Sequence, residues 1–235
     1  MVALKQLRSG LIVDLDDPDL SDLDLFEEVA IPLGRLARWD GHTADVAPQI
    51  DGFSVAQHCV VGADAVLAET GDMAAALAFV LHDAHEALIG DLTTPTVAAI
   101  AARVETALAI ALGIDARKRV VEAFGGGVVE IAVADLKRAI DVGIHRLAGL
   151  PPPAELPARI RNAVAEMDVR MLDTERRQLM RAVRGRPTGE VWSKSVLSAR
   201  PVRMRGPLRP WPARRAAEEW FDRFQRWRIR ADLAA

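Results

Sequence analysis

The chain has 235 residues, half of them hydrophobic, with a net charge of −3 and a single cysteine. That is enough apolar material for one substantial core, and it excludes an intrachain disulfide. The net charge makes the molecule as a whole no polyanion binder, but the charge is uneven: residues 1–50 carry ten acids against four bases, whereas 174–235 carry sixteen bases against six acids. The basic end reads as a solvated face that pairs with the acidic one, more than as a patch for phosphates or lipids.

Aromatics are only 5% and tyrosine is absent. The abundance of Ala, Leu and Val favours helix, because these side chains lose little freedom there. The N-terminus lacks the basic and then apolar run of a signal peptide, and no stretch of 18 or more apolar residues is evident. A reducing, cytoplasmic location is the expectation.

In chain order, residues 1–24 are acidic and broken by Pro18, with GLIVDL as a candidate short strand. Residues 25–38 have helical apolar spacing, with Pro32 near an early turn. A polar loop, DGHTADVAPQIDGF, leads to Ser54, an N-cap for the helical segment SVAQHCVVGADAVLAE. Gly71 and Asp72 end that helix and start the next. Residues 73–89 read as one helix, apolar for nine residues and then switching to His82, Asp83, His85 and Glu86, with Gly90 as its cap.

Two moderately amphipathic helices follow, near 96–112 and 115–124. The run Gly125–Gly127 interrupts the pattern, 128–148 resumes it, and Pro151–Pro153 ends it. Residues 156–182 form a long helix with Asp168 near its middle. Residues 183–213, rich in Pro, Arg and Gly, read as irregular, and 214–231 as a final amphipathic helix carrying Trp220, Phe221, Phe224 and Trp227. The expected fold is all-α, with a domain over 1–183 and an extension over 184–235 packed on it.

The chemistry begins at His82 and Asp83. An imidazole and a carboxylate at the end of a buried helix are costly unless paired or bound to a metal. On a continuous helix His82, Asp83 and Glu86 share one face; the alternative is an ordinary solvated helix end. The zinc-protease pattern HExxH is absent, since the order here is HDAHE. His85 lies on the other side of His82 and reads as a supporting or surface residue. His58, in the preceding helix, comes beside His82 if the two helices pack antiparallel across their short turn. Asp168 interrupts an apolar set formed by Val164, Met167, Val169, Met171 and Leu172, a place where an acid wants a cation. Asp173 reads instead as a surface residue with local arginine partners.

The segments FSVAQH, LHDAHEALIGDLTTP, AEMDVRMLDTERRQLM and GRLARWDGHT together resemble the HD-domain phosphohydrolases, most nearly the bacterial 5′-deoxynucleotidases and their phage relatives. The resemblance covers roughly residues 7–183 and is weakest over 97–150. It implies an HD-type helical bundle in which His58, His82, Asp83 and Asp168 hold one divalent transition metal. Zinc, manganese, cobalt and iron all suit such nitrogen and carboxylate donors. It implies that Glu86 acts on the attacking water or the leaving oxygen, that Arg38 and Trp39 line the nucleotide site, and that Asp91 meets the sugar.

Asp91 has a second reading, as the N-cap of the following helix. The implied reaction is hydrolysis of a deoxynucleoside monophosphate. Release of triphosphate from a dNTP, and a catalytically silent nucleotide-binding module, are the alternatives. The expected partners are the nucleotide and a second subunit, with no membrane and no nucleic acid. Gly125–Gly127 read as a helix break, because no GK[ST] follows. Cys59 reads as a buried small apolar residue, and the late tryptophans as anchors for the last helix.

Overall fold

The computed structural model describes residues 3–44, 52–124, 127–204 and 206–231. The loop stretch 45–51 and the glycines Gly125 and Gly126 lie outside the described residues. The fold is all-α apart from one small antiparallel pair, β1 (Leu4–Gln6) and β2 (Ile12–Asp14), in register Lys5 to Val13. β2 lies in the segment expected to be extended; β1 is an addition. A wide π-type turn, Leu25–Ala30, is capped by Asp24, whose side chain accepts from the N–H groups of Phe26 and Glu27, and runs into α1 (Ile31–Arg35).

Ser54 opens α2 (Val55–Thr70), its hydroxyl accepting from Gln57 N–H, and Gly71 ends it with a left-handed φ of 68°. Asp72 then caps α3 (Met73–Leu81) by accepting from Ala75 N–H. This two-residue joint forces α2 and α3 antiparallel. Their close approach depends on Gly62, where a Cβ would collide with the Phe79 ring.

The single helix expected over 73–89 is two. After Leu81 the backbone tightens, with Ala84 N–H donating to Leu81 O and Glu86 N–H to Asp83 O, before the short α4 (Glu86–Ile89). These bonds reach back three residues instead of four, as in a 3₁₀ turn.

Next come α5 (Thr94–Leu112), α6 (Ile114–Phe124) and α7 (Val128–Ala148), close to the expected spans. α5 has 19 residues with a mean hydropathy of 1.5, long and apolar enough by length and composition to cross a membrane, and it lies mostly exposed. This corrects the expectation that no such stretch exists. α8 (Ala158–Leu179) packs against α2 and α3. The expected irregular region contains two short helices, α9 (Thr188–Val191) and α10 (Lys194–Ser198), the latter capped by Ser193.

α11 (Ala213–Ala231) lies against α1, α2 and α3. Its Trp220 is fully buried, and its indole N–H donates to Val80 O at 2.8 Å. Ala84 N–H goes to Leu81 O instead of Val80 O, so the indole satisfies a carbonyl that the end of α3 releases. The core is thus α2 and α3, wrapped by α1, α8 and α11.

Candidate metal centre

His58 sits one turn into α2 and is fully buried. His82 follows the last residue of α3, and Asp168 lies midway along α8. Each imidazole is anchored through Nδ1. His58 Nδ1–H donates to Glu175 Oε1 at 2.5 Å, and His82 Nδ1–H to Phe79 O at 2.7 Å. An ionised carboxylate and a carbonyl are acceptors only, so each ring keeps its Nδ1 proton and turns Nε2 to the centre, where it can take either a proton or a metal ion.

Those two Nε2 atoms face each other at 3.4 Å. Asp168 Oδ1 is 3.4 Å from His58 Nε2 and 3.8 Å from His82 Nε2, and Asp83 Oδ2 is 3.8 Å and 3.2 Å from the same atoms. His58, His82 and Asp168 thus bring one ligand atom each within 4.8 Å of the others, and Asp83 approaches the same two imidazoles from the side of α4.

The electrostatics follow from this crowding. Burial and Arg38 press the His58 pKa down, but Glu175 and Asp168 outweigh them and raise it. Burial opposes the charged form of His82 as well, and Asp83 and Asp168 carry it well above the ordinary value. Against burial, His82, Arg38 and His58 hold Asp83 far below the carboxylate range. Against burial again, His58 and His82 lower Asp168. Two imidazole nitrogens facing each other between two carboxylates draw positive charge, a proton or a metal ion, to one place.

Such an arrangement fits a divalent ion. Neighbouring ligand atoms around an ion with bonds of about 2.1 Å stand roughly 3 Å apart, close to the separations observed. Cys59 is adjacent to His82 and Asp83, but burial raises its pKa more than His82 lowers it, so it stays a thiol, in line with its apolar reading.

Arg38 and Trp39 are beside this cluster. Arg38 is placed by two backbone bonds that tie the start of α2 to the preceding loop, Arg38 N–H to Phe53 O at 2.8 Å and Val55 N–H to Leu36 O at 2.9 Å. Its guanidinium spans Asp83 Oδ2 at 3.2 Å and Glu175 Oε2 at 3.4 Å. Trp39 Nε1–H donates to Glu175 Oε2 at 3.0 Å, and its ring meets Trp192 edge-on at 5.3 Å. Trp39 and Asp40 have φ of 61° and 52°, left-handed conformations that cost non-glycine residues on the order of 1–2 kcal/mol each.

Glu86 and Asp91 form an acidic wall next to Asp83. Burial, then Asp83 and Asp91, push Glu86 up to about 9. Burial also raises Asp91, with Asp83 and Asp40 adding to it against Arg38. Asp91 does not cap α5; Thr93 holds that position.

Two residues of the site were not anticipated. Glu175 is fully buried and contacts His58, Arg38 and Trp39. It lies seven residues after Asp168, two helical turns along the same face of α8, and that spacing was the available signal. Asp141 of α7 accepts from His85 Nδ1–H at 3.0 Å, a pairing across 56 residues with no local trace in the sequence. His85 is accordingly buried at this contact, not at the surface. Asp173 is also buried, contrary to its surface reading, although Arg176 and Arg177 are its partners as expected.

No protein-family model matches the chain. The chain is similar to an uncharacterized protein of Rhodobacter capsulatus, 31% identical over 169 residues that cover 71% of this chain and 67% of that protein.

Proposed function

The chain belongs to the same family as the Rhodobacter capsulatus protein, and from its site we propose a metal-dependent phosphohydrolase acting on nucleotides, a 5′-deoxynucleotidase that splits a deoxynucleoside monophosphate into nucleoside and phosphate. One observation carries this reading: His58, His82, Asp83 and Asp168, from three segments far apart in the sequence, converge with both Nε2 atoms turned to the centre. Nitrogen and carboxylate donors without thiolate suit zinc, manganese, cobalt or iron. A divalent ion held there supplies Lewis-acid charge at a phosphoryl oxygen and lowers the pKa of adjacent water toward about 7.

The protein's own residues do the rest. Glu175 and the Phe79 carbonyl lock the two imidazoles so that only Nε2 faces the centre. Arg38, fixed by Asp83 and Glu175, still has N–H donors for a phosphate oxygen. Glu86 Oε2 is buried and has no hydrogen-bond partner. With its pKa pushed up to about 9, Glu86 is suited to hold a proton and pass it to the leaving sugar oxygen, its ionised form then being a base for the incoming water. The Trp39 ring offers an apolar wall for sugar or base, and Asp91 an acceptor for a sugar hydroxyl.

The test is hydrolysis of the four dNMPs and four dNTPs by chelator-treated protein resupplied with Mn²⁺, Co²⁺ or Zn²⁺. Phosphate released from dNMPs is the expected product. Triphosphate released from dNTPs would move the reading to a triphosphohydrolase. No product from any nucleotide by metal-loaded protein would overturn it.

A further inference from the structure

Beyond the four converging side chains, Asp83, His85 and Glu86 form a second group: one ligand atom from each lies within 4.8 Å of the other two. Asp83 and His85 are in the tight turn between α3 and α4, and Glu86 opens α4. His85 is 5% and Glu86 4% exposed. His85 Nε2 and Glu86 Oε2 are both buried without a hydrogen-bond partner. Burying polar atoms unpaired costs about 1–3 kcal/mol each, and two of them in a single turn imply a missing partner.

That partner is a cation. His85 Nδ1–H donates to Asp141 Oδ1, which leaves Nε2 as a lone-pair donor. Glu86 and Asp83 are carboxylates, and Asp91 adds a third acid close enough to raise Glu86. The basic groups nearby are Arg38, already paired to Asp83 and Glu175, and Lys137, which makes no ion pair with Glu86 among the described residues. A divalent ion satisfies both unpaired atoms at once and takes the place of a proton on Glu86.

We propose that Asp83, His85 and Glu86 hold a second divalent cation beside the first. The proposal rests on the phosphohydrolase reading for its purpose, but not for its geometry. Asp83 gives Oδ2 to the two imidazoles of the first site and has a second oxygen to share between the ions. Asp141 orients His85 as Glu175 orients His58. Ligand atoms around an ion with bonds of about 2.1 Å stand roughly 3–4 Å apart, so three atoms within 4.8 Å of one another close on an ion by drawing in toward it. Two cations side by side clamp a phosphate from both the attacking and the leaving oxygen. Glu86 gives one oxygen to the cation and keeps the other for the proton.

The experiment counts ions. Full-length protein, stripped with chelator and dialysed against rising Mn²⁺, is assayed for bound metal per chain, and its Mn²⁺ paramagnetic resonance spectrum is recorded. Two ions per chain with an exchange-coupled spectrum are expected, falling to one uncoupled ion in His85→Ala. Asp141→Asn, which keeps the shape of the pocket and serves as the second variant, should weaken the second ion roughly 10–100-fold. One ion per wild-type chain at saturation would overturn the second site and leave the proposed function standing. No bound ion would overturn both. Two ions in His85→Ala would show that the second lies elsewhere.

Discussion

His58 and Glu175 are 2.5 Å apart, Nδ1 to Oε1, with both side chains fully buried. The same carboxylate accepts from Trp39 Nε1–H through its other oxygen. The ring that would touch substrate and the ring that would touch metal are thus fixed to one acid. Glu175→Gln breaks the arrangement on one side whichever way the amide turns, because an NH₂ group would then face a donor. Metal affinity should fall roughly 10–100-fold, read by isothermal titration of the chelator-treated protein. An unchanged isotherm would show that Glu175 does not hold His58.

Metal should stabilise the native protein by mass action. At 100 times its dissociation constant an ion adds about 2.7 kcal/mol, visible as a rise in Tm that chelator reverses. His82→Ala and Asp168→Ala should each abolish this rise and the hydrolytic activity. Glu86→Ala should keep the ion at the four-residue centre while losing roughly 100- to 10,000-fold in kcat. Near-normal turnover in that variant would refute its assigned part in proton transfer.

Gly62→Ala places a methyl group against the Phe79 ring at the crossing of α2 and α3. Overpacking of this kind costs about 1–3 kcal/mol. Because His58 lies one turn before Gly62 and His82 follows Phe79, the strain should reach the two imidazoles. Chemical denaturation should give a lower midpoint, and metal titration a weaker ion. Wild-type behaviour in both would mean that the helices separate without disturbing the site.

His145, in the last turn of α7, is buried and donates from Nδ1 to Pro151 O at 2.7 Å. Burial lowers its pKa, against the raising effects of Pro151 O and Asp141. A histidine lowered in the folded state is neutral there while the unfolded chain takes up a proton, so its contribution is complete above about pH 6.5 and lost as pH falls below it. His145→Gln should therefore lose less Tm between pH 7.5 and pH 5.5 than the wild type loses. An equal or larger loss in the variant would show that His145 does not contribute that dependence.

Helix existence was legible wherever local signals were strong: Ser54 and Asp72 as caps, Gly71 as a stop, the apolar run of α3, and Asp168 amid apolar neighbours. The failures share a physical cause. The break after Leu81 depends on three-residue backbone bonds and on Trp220 taking up Val80 O, and neither is encoded within the segment itself. Likewise Glu175 is explained by Arg38 and Trp39, more than 130 positions earlier. Asp173 misled because TERR looked solvated, and the two arginines it attracts cover it as well as pair with it. Pairings made by the fold, not by the local chain, hold the site's supporting residues.

Trp220 closes the end of α3 from a helix that a ribosome delivers after every other element of the site. Until that helix emerges, the nascent chain carries the apolar surface of α3 with no cover on its α11 side. The polypeptide up to residue 183 would contain every group assigned to catalysis and still lack the support beneath His82 and Asp83. Chaperone demand during synthesis, and the damage done by a premature stop codon late in the reading frame, both follow from that order of manufacture.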